Sequence, residues 1–248
     1  MAHADMEQLK DAIVQVAHLL HQRGYIGGMD GNISVRVGSR LLCTPSGVNK
    51  GFMNRKEIIT TDLEGKVLVG SGKPSSELAM HLEVYRQRQD VGAVVHAHPP
   101  HCVACTLTGI DMTRLVVPEL AYTMGAVPTA PYATPGTREV PDSIAAHVGT
   151  SQAILLERHG SITFGSTLQE AYDRLEGLEH AAHILFLARN LGTLKPLSDE
   201  QVERLRHSVE ARGLPWMYTS QGDEQVVDRI VEQVLERLRG NPSTAKNS

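Results

Sequence analysis

The most restrictive feature of this sequence is an apolar run that ends in two histidines. Residues 91–98 read VGAVVHAH, and Pro99 and Pro100 follow directly. Such a run predicts a buried strand, and Pro99 cannot continue the hydrogen-bond ladder, so the strand should end there. Because residues i and i+2 of a strand point to the same face, the imidazoles of His96 and His98 can converge on one ion. The chain has 12 histidines, so a chance pairing is the alternative interpretation.

A third candidate ligand is His159, which is followed by Gly160 and joins two apolar runs. The pattern predicts a hairpin or bulged turn between two strands. Glycine permits a tight bend or the close approach of a ligand, although a turn histidine bonded only to backbone would have the same sequence. Three neutral imidazoles with an open fourth position are typical of catalytic zinc.

Glu77 opens a predicted helix, residues 77–89, directly after Ser75 and Ser76. Free backbone N–H groups and the helix dipole at such a start can hold a phosphate group. An ordinary N-cap with an acidic first turn is the alternative interpretation. Two other turns offer backbone donors of the same kind, and they are Asp30-Gly31-Asn32 and Thr44-Pro45-Ser46-Gly47.

The remaining histidines and the cysteines are interpreted mainly as structural. His101 lies close enough to the histidine pair to support it, whereas the others are interpreted as helix-face residues without function. Cys102 and Cys105 form a CxxC without a second cysteine pair. Buried core thiols are therefore favoured over a redox or zinc role, and three cysteines indicate a cytoplasmic protein without disulfides.

The order of the elements predicts one α/β domain with a sheet covered by helices. We assign this domain to residues 1–240 and expect residues 241–248 to be a disordered tail. The predicted helices span residues 5–23, 77–89, 138–148, 168–191, 198–213 and 226–239. The predicted strands or extended segments span residues 33–37, 41–44, 58–63, 66–70, 91–98, 116–122, 127–133 and the two runs on either side of His159.

Composition excludes several classes of protein. The chain has 248 residues and a net charge of -4, so it has no basic footprint for nucleic acid. No run approaches the roughly 18 apolar residues of a membrane span, and the N-terminus lacks the pattern of a secretory signal. We therefore expect a cytoplasmic protein with small-molecule partners.

In chain order, the segments GNISVRV, TPSG, KPSSE, VVHAHPPHC, PYATPGTRE and ERHG resemble the class II aldolase family, whose superfamily also includes the adducin head. The resemblance covers about residues 24–192. KPSSE, HAH and HG in that order are specific to the superfamily, and PYATPGTRE indicates the fuculose-phosphate aldolase side. The resemblance implies a single α/β domain with a central, mostly antiparallel sheet flanked by helices. It also implies a homotetramer with active sites between adjacent subunits.

Carried over position by position, the resemblance implies one zinc ion, or another divalent metal, per subunit. His96, His98 and His159 match the metal ligands. Glu77 matches the residue that binds the metal at rest and then acts as acid and base. The positions that match the phosphate site are Gly31, Asn32, Ser46, Gly47, Ser75 and Ser76. Ser46 stands where some relatives carry threonine, and two tyrosines of the family's catalytic site would correspond to Tyr122 and Tyr218.

The reaction that the resemblance implies is the reversible cleavage of a ketose 1-phosphate into dihydroxyacetone phosphate and an aldehyde. The ketose would be fuculose 1-phosphate or a 5-deoxy or 5-methylthio pentulose 1-phosphate. Alternatives in the superfamily are a sugar-acid phosphate decarboxylase, a methylthioribulose-phosphate dehydratase and a ribulose-phosphate 4-epimerase, although the epimerases usually carry Asp at the position of Glu77. A non-catalytic module like the adducin head would lack the metal histidines, which are present here.

Overall fold

The computed structural model describes residues 2–113, 117–195, 197–214 and 216. The strands in these ranges are β1 (Asn32–Val37), β2 (Arg40–Cys43), β3 (Ile59–Asp62), β4 (Val67–Val69), β5 (Ala93–Ala97), β6 (Thr129–Ala130), β7 (Ala153–Leu156) and β8 (Gly160–Gly165). They form one sheet in the order β4-β3-β2-β1-β5-β8-β7-β6. Of the described strand pairs, only β6 and β7 run parallel. The predicted central, mostly antiparallel sheet is confirmed.

Helices cover both faces of this sheet. The described α-helices are α1 (Ala2–Gln22), α2 (Leu78–Gln87), α3 (Pro100–Leu107), α4 (Pro118–Thr123), α5 (Glu139–Val148), α6 (Leu168–Leu191) and α7 (Asp199–Glu210). A short 3-10 helix spans Arg55–Glu57. The sequence Ser198-Asp199-Glu200-Gln201 predicts a capping box at the start of α7. The structure confirms it, because the Ser198 hydroxyl accepts from the Gln201 N–H while the Gln201 side chain accepts from the Ser198 N–H.

The central strand β5 has a hydrophobic cluster on each side. Val95 packs in a cluster with side chains of α1 and α6, whereas Val94 packs in a second cluster with side chains of α2 and α5. Because His96 is two residues beyond Val94, it points to the same face, toward α2. A third cluster, between α3, α4, α6 and β7, contains Cys102 and Cys105. Both are buried free thiols, as predicted.

The structure corrects one predicted element and shortens another. Residues 116–122 were predicted to be extended, but residues 118–123 form α4. Pro118 lies in the first turn, where its fixed φ and missing N–H suit a helix, and the burial of Leu120 and Ala121 stabilises this conformation. In the predicted extended segment 127–133, only Thr129 and Ala130 pair with the sheet.

The C-terminal predictions lie outside the described residues. They are the helix at 226–239, the tail at 241–248 and the site residue Tyr218. Contacts divide the chain into one compact unit of residues 1–217 and a second unit of residues 218–248. The domain boundary at residue 240 therefore stays a prediction. Among the described helices, none is long and apolar enough to cross a membrane.

Candidate metal centre

Three histidines and one glutamate meet at one end of the sheet. One ligand atom from each of Glu77, His96, His98 and His159 lies within 4.8 Å of the others. The Glu77 carboxylate lies between two rings, with Oε2 at 3.2 Å from His96 Nε2 and Oε1 at 3.1 Å from His159 Nε2. The Nε2 atoms of His96 and His98 are 3.0 Å apart. The structure thus brings together all four residues that were predicted as metal ligands.

The sheet positions two of these rings. His96 is in the central strand β5, opposite Asn32 of β1 and Ile162 of β8. Its side chain is completely buried. His98 follows the end of β5, and its backbone N–H donates to the carbonyl of Tyr25. The strand therefore holds one imidazole rigidly and presents the second at its open end.

The turn between β7 and β8 supplies the third ring, as the sequence predicted. Arg158 has a φ of 59°, a left-handed conformation that places His159 at the tip of the turn. At Gly160, an added Cβ would lie 2.3 Å from the carbonyl oxygen of Ala97 and 2.8 Å from His98 Cδ2. Only glycine allows this turn to pack against the end of β5.

Glu77 stands at the N-cap of α2 but does not cap it. Its side chain makes no hydrogen bond to the helix N-terminus. The carboxylate points instead at the histidines, and Asn32 Nδ2 donates to Glu77 Oε2 over 3.0 Å. The Glu77 oxygens therefore face the histidine cluster and not the helix N-terminus.

The hydrogen bonds of the cluster determine which nitrogen faces the centre. His96 Nδ1 donates to the carbonyl of Ser161 over 2.9 Å, which leaves the Nε2 lone pair directed at Glu77 and His98. Burial, together with the neighbouring His96 and His159, lowers the pKa of His98 to about 3. His98 is therefore neutral near pH 7, which is the form that binds a metal.

The electrostatics of Glu77 keep it ionised. Burial by itself would raise the pKa of Glu77, but the neighbouring His159 and His96 outweigh burial and hold the pKa well below its usual range. A carboxylate and imidazole lone pairs that face one another at about 3 Å repel unless a cation lies between them. Three imidazoles with one carboxylate are a donor set that suits a divalent transition metal. The residues therefore fit a metal ion.

Comparison with known proteins identifies the family of this chain. The family model described as "Class II Aldolase and Adducin N-terminal domain" matches residues 11–186. The chain belongs to the class II aldolase family. This confirms the predicted family, its fold and its enzyme class, a metal-dependent carbon–carbon lyase.

Named relatives of this class II aldolase cover most of its length. An L-fuculose phosphate aldolase of Methanococcus maripaludis is 34% identical over 179 residues, which are 72% of this chain and 96% of the relative. A 3-oxo-tetronate 4-phosphate decarboxylase of Haemophilus influenzae is 32% identical over 203 residues, 80% of this chain and 96% of the relative. The solved structure of an L-fuculose-1-phosphate aldolase from Thermus thermophilus has a TM-score of 0.67 and 32% identity, and covers 77% of this chain and 98% of that one.

The segments predicted to hold a phosphate lie next to one another in this class II aldolase. Pro45 and Pro74 form a β-bridge, and the Ser46 N–H donates to the Lys73 carbonyl over 2.9 Å. The turn that contains Ser46 and Gly47 is thereby tied to the segment that contains Ser75 and Ser76. The Ser75 hydroxyl accepts from the Glu77 N–H over 3.3 Å, so this segment borders the metal centre.

Gly31 packs against the backbone of His96. It has a φ of +67°, and an added Cβ would lie 2.9 Å from the His96 carbonyl oxygen and 2.6 Å from the Ile26 side chain. The backbone of this turn can therefore approach β5 only with glycine at this position. The next residue is Asn32, which contacts Glu77.

Two side chains beside the centre were missed by sequence reasoning. His81 was interpreted as a helix-face residue, but it is buried and its Nδ1 lies 2.7 Å from the Ser34 hydroxyl. Burial, with a smaller contribution from His96, lowers the pKa of His81 to about 3. Asp30 Oδ2 lies 3.6 Å from His98 Nδ1. The four-residue spacing from Glu77 to His81 is the signal that could have placed His81 on the same helix face.

Two residues that the sequence associated with the site, Tyr122 and His101, make their described contacts with other parts of the chain. The Tyr122 hydroxyl donates to Ser208 of α7, and the Arg212 guanidinium lies over its ring. The described contacts of Tyr122 are thus with the C-terminal part of the described chain, and its catalytic assignment stays a prediction. His101 Nδ1 lies 2.7 Å from Glu179 Oε1, and its ring stacks on His183. These contacts place His101 in a separate cluster rather than among the metal ligands.

Proposed function

We propose that this chain is a zinc-dependent aldolase that reversibly cleaves a ketose 1-phosphate into dihydroxyacetone phosphate and an aldehyde. The observation that carries the proposal is the position of Glu77. Its carboxylate is at contact distance from two imidazoles and is the one acid in the group of four candidate ligands. The similarity to an L-fuculose phosphate aldolase supports the reaction type.

The residues present provide the chemistry that such a cleavage needs. A divalent ion bound by the three histidines would polarise the carbonyl of the substrate as a Lewis acid. Glu77 then accepts a proton from the carbon next to that carbonyl, which makes the carbon a nucleophile toward an aldehyde. Asn32 Nδ2 donates to one Glu77 oxygen and holds the carboxylate in place. In the cleavage direction Glu77 returns the proton to the same carbon.

We propose that Gly31, Asn32, Ser46, Gly47, Ser75 and Ser76 bind the substrate phosphate. Three chain segments with backbone N–H donors and hydroxyl groups meet there. The hydrogen bonds of Ser46 with Lys73 and of Ser75 with Glu77 join them to one another and to the metal centre. A phosphate held in this place would present the adjacent carbon and carbonyl to the metal and to Glu77.

We further propose that the enzyme is a cytoplasmic homotetramer, as its resemblance to the family implies. Exposed apolar side chains near the end of α6 support a contact between subunits. Phe186, Leu187 and Leu191 are 49%, 48% and 89% exposed. Burial of such a surface is favourable, which is the usual reason for an apolar patch on a folded domain.

The second candidate is decarboxylation of a sugar-acid phosphate. It is favoured by the similarity to a 3-oxo-tetronate 4-phosphate decarboxylase. That reaction would use the same metal and phosphate sites but breaks a bond to a carboxylate carbon, so Glu77 need not remove a proton from dihydroxyacetone phosphate. The two candidates therefore differ in one measurable step.

Proton exchange distinguishes the two candidates. The metal-loaded protein should exchange a hydroxymethyl proton of dihydroxyacetone phosphate with deuterium oxide when no aldehyde is present. Glu77→Gln keeps the size of the side chain but cannot accept the proton, so exchange should fall by a factor on the order of 10² to 10⁴. NMR loss of the proton signal measures the rate, and elemental analysis checks that the metal is retained.

Glu83→Gln is the matched control, because Glu83 lies on the same helix and pairs with Arg86 instead of the metal ligands. This variant should exchange at the rate of the unchanged protein. A folded, metal-loaded protein that shows no exchange would contradict the aldolase proposal. Exchange that persists in Glu77→Gln would assign the base to another residue.

A further inference from the structure

Lys50 is a buried lysine beside the phosphate-site segments. Its side chain is only 2% exposed. Its Nζ donates to two backbone carbonyls, that of Met29 at 2.9 Å and that of Val48 at 3.0 Å. Among the described residues no carboxylate forms an ion pair with it, and Asp30 and Glu77 act on its charge at longer range. An ammonium group in this setting carries a positive charge that its neutral partners do not compensate.

Such a charge is costly to bury. An ammonium loses its hydration on burial, and two carbonyl dipoles replace only part of it. For the same reason burial lowers the pKa of Lys50. A neutral amide side chain could donate to a carbonyl at a smaller desolvation cost, so the two hydrogen bonds do not by themselves explain a lysine. Ionisable groups whose pKa is shifted by burial cluster at functional sites, and Lys50 lies beside one.

The two acceptors of Lys50 belong to the segments that approach the metal centre. Met29 lies two residues before Gly31, whose turn packs against His96. Val48 directly follows Gly47. The Lys50 ammonium therefore joins the turn that contains Gly31 and Asn32 to the turn that contains Ser46 and Gly47 and sets the distance between them. With two of its three protons used, the third remains for a further acceptor.

We propose that Lys50 is the fixed positive charge of the phosphate pocket, which positions its two turns and attracts the phosphate dianion of the substrate. This inference rests on the proposed function, because it assumes that the pocket binds a phosphate. It adds a charged residue to a pocket that otherwise consists of backbone N–H groups, hydroxyls and one amide. Hydrogen bonds to charged groups are stronger than those to neutral ones, so Lys50 contributes to affinity as well as to shape.

The test uses inorganic phosphate as the probe and the metal-loaded protein. Phosphate should raise the melting temperature of the unchanged protein, and the dependence of this rise on phosphate concentration gives the dissociation constant. Chloride at equal ionic strength is the reference. Lys50→Gln, which removes the charge but can still donate to a carbonyl, should weaken phosphate binding about 10-fold to 100-fold. Lys66→Gln, at an exposed lysine in the loop between β3 and β4, is the matched control and should leave phosphate binding unchanged.

The outcomes separate this inference from the proposed function. Unchanged protein that does not bind phosphate would contradict the phosphate pocket and this inference with it. Phosphate binding that is equal in Lys50→Gln and in the unchanged protein would overturn the role of Lys50 and leave the pocket standing. Metal alone should stabilise Lys50→Gln as much as it stabilises the unchanged protein. A structural defect in the variant would lower the stabilisation by metal as well as that by phosphate.

A crystal structure of the unchanged protein with inorganic phosphate provides a second test that needs no variant to fold. We expect a phosphate oxygen within hydrogen-bond distance of Lys50 Nζ. Phosphate bound in the pocket without a contact to Lys50 would overturn the inference.

Discussion

At the scale of single residues, the candidate metal centre adjoins a buried hydrogen-bond network. The Ser34 hydroxyl contacts both His81 Nδ1, at 2.7 Å, and the Tyr85 hydroxyl, at 2.9 Å. His81 Nε2 is buried without a hydrogen-bond partner among the described residues, and so are Asn32 Oδ1 and Ser161 Oγ. Buried polar atoms usually find partners, and groups that lack them cluster at functional sites. Asn32 contacts Glu77 and the Ser161 carbonyl contacts His96, so these residues adjoin the candidate metal ligands.

Ser76 allows a residue-scale test of the phosphate pocket. Ser76→Asp would place a carboxylate where the phosphate is proposed to bind, and like charges about 4 Å apart repel by about 4 kcal/mol at the effective dielectric constant of a protein surface. We expect the Michaelis constant for a phosphorylated substrate to rise on the order of 100-fold or more, measured by steady-state kinetics.

Ser198→Asp is the matched control for this change. It makes the same substitution at the start of α7, where the side chain caps a helix and aspartate caps equally well. Its Michaelis constant should stay that of the unchanged protein. If Ser76→Asp also leaves the constant unchanged, the phosphate does not bind at this position.

At the scale of secondary structure, the site depends on three elements that end at the same place. β5 ends between His96 and His98, α2 begins next to Glu77, and β7 turns into β8 at His159. Element type was predictable where the signal is local, as in the buried strand ended by Pro99 and the capping box of Ser198. It was not predictable for α4, which packs beside α6 and α7, elements that are distant in sequence.

Gly160 tests whether the packing of these elements sets the site. In Gly160→Ala the new methyl group would clash with the Ala97 carbonyl and with the His98 ring, so β8 must move away from β5. Overpacking of this kind costs typically about 1 to 3 kcal/mol of folding stability. We expect denaturant unfolding to show that loss, and metal titration to show weaker binding.

Gly149→Ala is the control, because a methyl group there has no neighbour closer than the Gln87 side chain at 4.0 Å. Its stability and metal affinity should match those of the unchanged protein. Full metal affinity in Gly160→Ala would show that the close packing of β8 on β5 is not what positions His98 and His159.

At the scale of the whole molecule, a bound metal would connect parts of the chain that are far apart in sequence. Its candidate ligands are residue 77, residues 96 and 98, and residue 159. A ligand that binds only the folded state stabilises it, by about 2.7 kcal/mol at a free concentration of 100 times the dissociation constant. For a chain of this size that corresponds to a melting temperature about 5 to 10 °C higher.

Removal of the metal should therefore lower the melting temperature, and added zinc should restore it. His96→Ala combined with His98→Ala removes two ligands and should abolish both the zinc-dependent shift and stoichiometric metal in elemental analysis. His207→Ala, at an exposed histidine of α7, is the control and should keep both. Metal retained at one equivalent by the double variant would contradict the ligand assignment.

The sequence by itself predicted the pairing of His96 with His98 and the buried strand, because each depends on spacing within a few residues, and the resemblance of its motifs to the family predicted the class of fold. Two-residue periodicity puts His96 and His98 on one face, and proline ends the strand wherever the chain goes next. Only the tertiary structure decided which groups meet. The Asn32 side chain donates to Glu77, which is 45 residues away in sequence. The Lys50 ammonium donates to backbone carbonyls of two different turns. Such contacts depend on how whole elements pack, and no local pattern in the sequence encodes the distance between them.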